Sequence, residues 1–261
     1  MSDLALQHPA ADPRQHNILC VASGKGGVGK TFLSIALSQA LARQGKRVLL
    51  FDGDLGLANI DVQLGLMAER DLGGVIAGRL SLPDAITRYE AGGFDVIAGR
   101  SGSGSLATLS RGQLDGLRDG LRLLAARYDH VILDLAAGVD EPVRLLAEIA
   151  GTLLVVTTDE PTALTDAYAF MKLTAAPVRH ADCRIVVNLA ASPEDGERTY
   201  QKLRKTAANF LKFDPRLAGV VRRDDRVRDS VRHQMSHLQR HPTSESAGDV
   251  EIIARGVIGA A

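Results

Sequence analysis

Nine residues, Ser23 to Thr31 (SGKGGVGKT), restrict this chain more than any other stretch. Gly24, four residues, and then Gly29, Lys30 and Thr31 satisfy the pattern GxxxxGK[ST], in which glycines let the backbone curl until successive N–H groups converge on phosphate oxygens. The pattern needs a strand before it and a helix after it, whose N-terminal dipole adds to the attraction. Both are present: Ile18 to Ala22 is an apolar run of the buried-strand type, and Phe32 to Leu41 reads as an apolar helix. The expected cradle comprises Gly24, Gly26, Gly27, Val28, Gly29, Lys30, Thr31 and Phe32, with Lys30 neutralising phosphate and the Thr31 hydroxyl on Mg²⁺. Lys25 is a second cation on the same loop, and a loop with no anion to bind gains nothing from that repulsion.

Later apolar runs deliver acids at their carboxyl ends, the edge where ligands sit in open parallel sheets. Arg47 to Phe51 ends in Asp52-Gly53-Asp54, and Tyr128 to Asp134 ends in Asp134 with the small residues Ala136, Ala137 and Gly138 behind it. Asp134 is expected at Mg²⁺ and Asp54 near the terminal phosphate, where an acceptor-only carboxylate holds water and tunes the metal. Asp52 is expected to support the metal shell and its loop, and Asn59 to polarise phosphate or water. Phe94 to Ala98, Leu153 to Thr158, Arg184 to Leu189 and Arg216 to Val221 read as further strands. Leu114 to Arg127 and Gly196 to Lys212 read as helices, and Leu66 to Ala91 as short amphipathic pieces broken by glycine and Pro83. Strands alternating with helices around a phosphate loop predict an α/β fold, a doubly wound, mainly parallel sheet flanked by helices on both faces.

Charge narrows the partners. Lysine plus arginine and aspartate plus glutamate both number 31, so no global basic field favours DNA. Cys20 and Cys183 sit in predicted strands as buried thiols. No apolar run has the length of a membrane span, which points to the cytoplasm. Gly99 to Ser105 reads as a flexible glycine–serine loop, the arginines and aspartates from Arg222 to Arg232 as internal ion pairs, and His233, His237 and His241 as a weak metal signal.

The KGGVGKT loop with its extra lysine resembles the deviant Walker A motif of the MinD/ParA class of P-loop ATPases. The segment Asp54 to Leu66 is similar to switch I of the MinD group, and LAAG ending at Gly138 to switch II. The run VVTTDEPTALTDAYAFMK and the segment DDRVRDSVRHQ resemble the FlhG/FleN (YlxH) branch, although Arg222 stands where that branch generally has proline. The resemblance implies an ATP- and Mg²⁺-dependent homodimer in which Lys25 reaches the partner's nucleotide, Asp54 activates water, Asn188 contacts adenine and Asp166 lies near the dimer interface. It further implies slow, partner-stimulated ATP hydrolysis and control of flagellar number or placement with an FlhF-type GTPase or another polar protein. Division-site control, DNA partitioning and a non-hydrolysing nucleotide-gated adaptor are the alternatives. The expected organisation is a flexible arm over 1–16, an ATPase domain over 17–235, and a helical segment over 236–261. The last resembles a C-terminal amphipathic helix offering weak membrane or partner contact at the inner face of the membrane or a pole.

Overall fold

The structure is a computed structural model that describes residues 17–54, 59–67, 69–99, 109–175 and 182–258. The N-terminal arm, residues 100–105 of the glycine–serine loop, residues 55–58 of the switch I-like segment and residues 259–261 lie outside the described residues. The first half of the chain runs β1 (Ile18–Ser23), α1 (Lys30–Arg43), β2 (Val48–Gly53), α2 (Ile60–Leu64), α3 (Leu72–Ile76), β3 (Ile86–Tyr89), β4 (Phe94–Ile97), α4 (Arg111–Ala125) and β5 (His130–Ala137). The second half runs α5 (Glu141–Ala147), β6 (Thr152–Thr157), α6 (Pro161–Phe170), β7 (Asp182–Ala190), α7 (Pro193–Leu211), β8 (Arg216–Arg222), α8 (Arg226–Arg232), α9 (His237–Arg240) and α10 (Glu245–Ile258).

These strands form one sheet in the order β3-β4-β2-β5-β1-β6-β7-β8, parallel throughout except where β3 pairs antiparallel with β4. Strands β1, β2 and β5 are buried on both faces, which is why their sequences are apolar runs and not alternations. Helices cover each face over a separate apolar layer. The fold expected from the alternation of elements is therefore the one observed. Strand β3 falls within the stretch read as amphipathic pieces; four residues, ITRY, return along β4 through a turn in which Gly93 N donates to Tyr89 O at 2.9 Å.

The helix predicted from Leu114 buries Leu114, Leu117, Leu121 and Leu124. Its other face is unusual. Gly112, Gly116 and Gly120 recur every four residues, and each interior glycine costs a helix about 1 kcal/mol relative to alanine. A capping box of Ser110 and Gln113 secures the N-terminus against that cost.

The segment set apart at residue 236 packs into the same core as the rest. Ala247, Val250, Ile253, Ala254 and Val257 of α10 are buried in the layer that also holds α1. Ile253 lies so close to Gly219 of β8 that a Cβ there would fall 2.6 Å from it. The apolar side for which weak membrane or partner contact was expected packs into the core layer shared with α1, while Ile252 of this helix is 57% exposed. Arg222 is no free cation: its backbone N–H and guanidinium donate to Asp249, and it pairs with Glu245 at 2.8 Å, tying β8 to α10. Arg226 pairs with Asp224, as expected of that mixed run.

Candidate functional site

Strand order places the site. Because β1 lies between β5 and β6, and β2 lies beside β5, the carboxyl ends of β1, β2 and β5 open onto one edge where the chain reverses its winding. The loop after β1 enters α1 through Gly29, at φ 90°, a left-handed conformation that side chains resist. No side chain caps α1, so its first-turn N–H groups stay available to an anion. Two glycines are fixed by crowding as well. A Cβ on Gly24 would fall 2.1 Å from the carbonyl oxygen of Asp166, and one on Gly29 would fall 2.2 Å from Asn188 Nδ2.

Asn188 and Asp166 therefore both meet the loop, in ways their sequence positions do not reveal. Asn188 is buried beneath it and donates from Nδ2 to Val28 O at 2.8 Å. The second N–H and the carbonyl oxygen of that amide remain for a ligand. Asp166 meets Gly24 through its main chain. Gly138, at φ 107°, donates its N–H to Ser23 O at 2.9 Å and so joins the turn after β5 to the start of the loop.

The acids converge as their register requires. Asp52 and Asp134 are directly paired across β2 and β5, and both are buried. Burial, followed by the charge of Asp134, pushes the Asp52 carboxyl up to about 7 against three backbone donors that lower it. Those donors are Asp54 N at 3.1 Å and Asn59 N and Ile60 N at 3.3 Å each, so Asp52 grips the chain on both sides of residues 55–58. Burial likewise pushes Asp134 up to about 6, while the Thr31 and Ser34 hydroxyls and the Lys30 charge pull it down. Ser34 Oγ donates to Asp134 Oδ1 at 3.0 Å, a contact hidden in the sequence within an apolar helix. Burial lowers the Lys30 ammonium, and Asp134 and Asp54 raise it.

This donor set suits a hard divalent cation. Asp134, Thr31 and Asp54 offer oxygen only, and beside such a cation the raised carboxyls would ionise. Lys30 and the loop amides suit the phosphates that accompany Mg²⁺ in these sites. Lys25 is placed apart from them. Its Nζ donates to Glu160 Oε2 at 2.6 Å and Thr162 Oγ1 at 2.8 Å, at the first turn of α6.

The His237 and His241 rings lie 5.6 Å apart, but the three histidines turn their nitrogens to hydroxyl and carboxylate partners. His237 is buried, with Nδ1 3.0 Å from Ser230 Oγ and Nε2 2.8 Å from the hydroxyls of Ser244 and Ser246. Its ring stands edge-on to Phe32 in the first turn of α1, with centroids 5.6 Å apart. His233 and His241 both turn to Asp229. Among the described residues no group of three or more histidine, cysteine, aspartate or glutamate side chains is arranged to hold a metal. Cys20 and Cys183 are buried free thiols, as expected.

Residues 19–238 match the model of the CobQ/CobB/MinD/ParA nucleotide binding domain. The chain is 36% identical over 257 residues to the antiactivator FleN of Pseudomonas aeruginosa, covering 98% of this chain and 89% of that protein. It is 33% identical over 194 residues to the flagellum site-determining protein YlxH of Helicobacter pylori, covering 74% of this chain and 65% of that protein. Among solved structures, the septum site-determining protein MinD of Pyrococcus horikoshii, complexed with Mg-ADP, superposes with a TM-score of 0.76 at 23% identity, covering 92% of this chain and 95% of that one.

Proposed function

This chain belongs to the CobQ/CobB/MinD/ParA nucleotide-binding family, and from that premise we propose that it is an ATP-dependent dimerising switch of the flagellar branch, a slow ATPase. The observation that carries the reading is the division of labour between two lysines of one loop. Lys30 is turned inward to Asp134 and Asp54, whereas Lys25 is held at the surface by Glu160 and Thr162. A cation placed outside its own phosphate cradle is suited to the cradle of a second copy.

Within one chain, the first-turn amides of α1 and Lys30 bind the phosphates, and Asn188 fixes the loop from below through Val28. Thr31, Asp54 and Asp134 would hold Mg²⁺, which would supply charge neutralisation at the phosphates. The Ser34 and Thr31 hydroxyls donate to Asp134 and hold its carboxylate in place. Asp54 accepts a proton from water aligned with the terminal phosphate, and Asp52 keeps the chain around it in place through the amides of Asp54, Asn59 and Ile60. The second copy's Lys25 stabilises the charge that develops in transfer, so turnover waits on dimerisation. Asp166, behind Gly24, and Gly138, bonded to Ser23, carry the state of the site outward.

The name of the relative YlxH, a flagellum site-determining protein, supports flagellar control as the output. An FlhF-type GTPase is the partner we propose, with peripheral association at the inner face of the membrane or a pole. Two measurements test the reading. Turnover per molecule in the wild type rises with protein concentration, and Lys25→Ala abolishes that rise while keeping ATP affinity; a variant that dimerises and hydrolyses normally removes the trans role. ATP-loaded Asp54→Ala protein captures the GTPase in a pull-down; capture of DNA alone would overturn the flagellar assignment.

A further inference from the structure

Beside α4 runs an apolar groove of about 420 Å³, which falls in the range of ligand-sized sites of about 300–1,000 Å³. Ile76, Leu80, Leu82 and Leu117 line it, and Gly116 and Gly120 form part of one wall. A Cβ on Gly112 or Gly116 would meet nothing within 4 Å, so no described residue explains why these helix positions are glycine. Glycine there lets another segment approach the helix backbone closely.

We propose that the groove is the docking site of this chain's own residues 1–8, and the inference rests on the groove and its tether alone, independent of the nucleotide reading. The chain enters the described fold at Asn17, whose side-chain amide donates to Ala125 O at 2.8 Å and Tyr128 O at 3.0 Å, at the carboxyl end of α4. Gly116 lies nine residues back along that helix, roughly 14 Å at 1.5 Å per residue. Leu4, Ala5 and Leu6, with Met1, make an apolar cluster that Pro9 terminates, and Pro9 and Pro13 stand between it and Asn17. The eleven residues from Leu6 to Asn17 span up to roughly 36 Å, so the cluster reaches the groove with slack. A tether this short supplies an effective concentration in the millimolar range, enough for a weakly binding segment to occupy the groove ahead of a free partner.

The test uses the full chain with two added thiols, the native ones being buried. Under mild oxidation, Leu4→Cys with Gly116→Cys forms an intramolecular disulfide about tenfold faster than Leu4→Cys with Lys202→Cys on α7, at a rate unchanged by dilution. Gln113→Cys on the same wall replaces Gly116→Cys should the latter not fold. With Gln113→Cys as the groove thiol, the filling substitution Gly116→Leu, its fold checked by circular dichroism, returns the rate to that of the control pair. Equal rates for the groove and control pairs overturn the proposal. Disulfides that form only between chains, at a rate rising with concentration, also overturn it and assign the groove to a second copy.

Discussion

Lys25 and Lys30 stand five residues apart on one loop and live in different media. Lys30 is largely desolvated beside two acids, and its charge is balanced inside the fold. The Lys25 side chain is 36% exposed and its partner Glu160 62% exposed, so their pair is a surface bridge, screened and readily exchanged. The same residue type thus serves as a fixed part of the site at one end and as an exchangeable contact at the other.

The largest break in this contrast comes from Lys30→Ala. It leaves Asp134 with less compensation and removes the cation proposed to contact phosphate, so ATP binding measured by calorimetry should weaken about 100-fold, roughly 2.7 kcal/mol. Wild-type affinity in that variant would mean that the buried lysine is a core ion only. Next comes Asn188→Ala, which leaves Val28 O unpaired beneath the loop. Chemical denaturation should register a loss of about 1–2 kcal/mol, with a smaller fall in ATP affinity.

Acid separates the two ends further. Burial holds the His237 imidazole below its ordinary value of 6.5, opposed by Asp224 and reinforced by His241 and Arg226. The unfolded chain therefore binds the proton first, and stability present above 6.5 is lost as pH falls below it. The melting temperature should drop between pH 7 and pH 5, and His237→Gln should flatten that slope. Glu160 behaves oppositely: its hydrogen bond and charge contact with Lys25 hold its carboxyl below the usual range. That contribution is intact above the ordinary glutamate range and is lost only as pH falls through the lowered value, so this end adds no slope between pH 7 and pH 5. The smallest effect on stability belongs to Glu160→Gln: an unchanged melting temperature, with the rise of turnover shifted to lower protein concentration. An unshifted curve would show that this bridge does not compete for Lys25.

Much of this was legible in the residues. The loop, the strands before and after it, and Asp52, Asp54 and Asp134 were readable because buried parallel strands are continuous apolar runs, and an acid at the end of one is conspicuous. Strand β3 was not, since four residues that include Arg88 form a strand only through pairing with β4. Contacts made by the main chain leave no mark on residue type, which hid the carbonyl of Asp166 against Gly24. Ser34 was hidden for another reason: a small hydroxyl in an apolar helix reads as filler until Asp134 arrives from a strand 100 positions away. The C-terminal helix showed its apolar side in the sequence, but only the position of β8 and α1 decides what covers it.

The register that pairs Asp52 with Asp134 also sets a timetable. The two acids come from strands far apart in sequence, and Asp134 is held by a serine of the loop's own helix. During synthesis the chain emerges at about 5–20 residues per second, so several seconds pass between the appearance of the loop and that of β5. Throughout that interval the nascent chain displays a phosphate-loop sequence without the strand that completes it. Only when β5 inserts between β1 and β2 does Asp134 reach Ser34, so the loop's helix gains its acid partner late in synthesis.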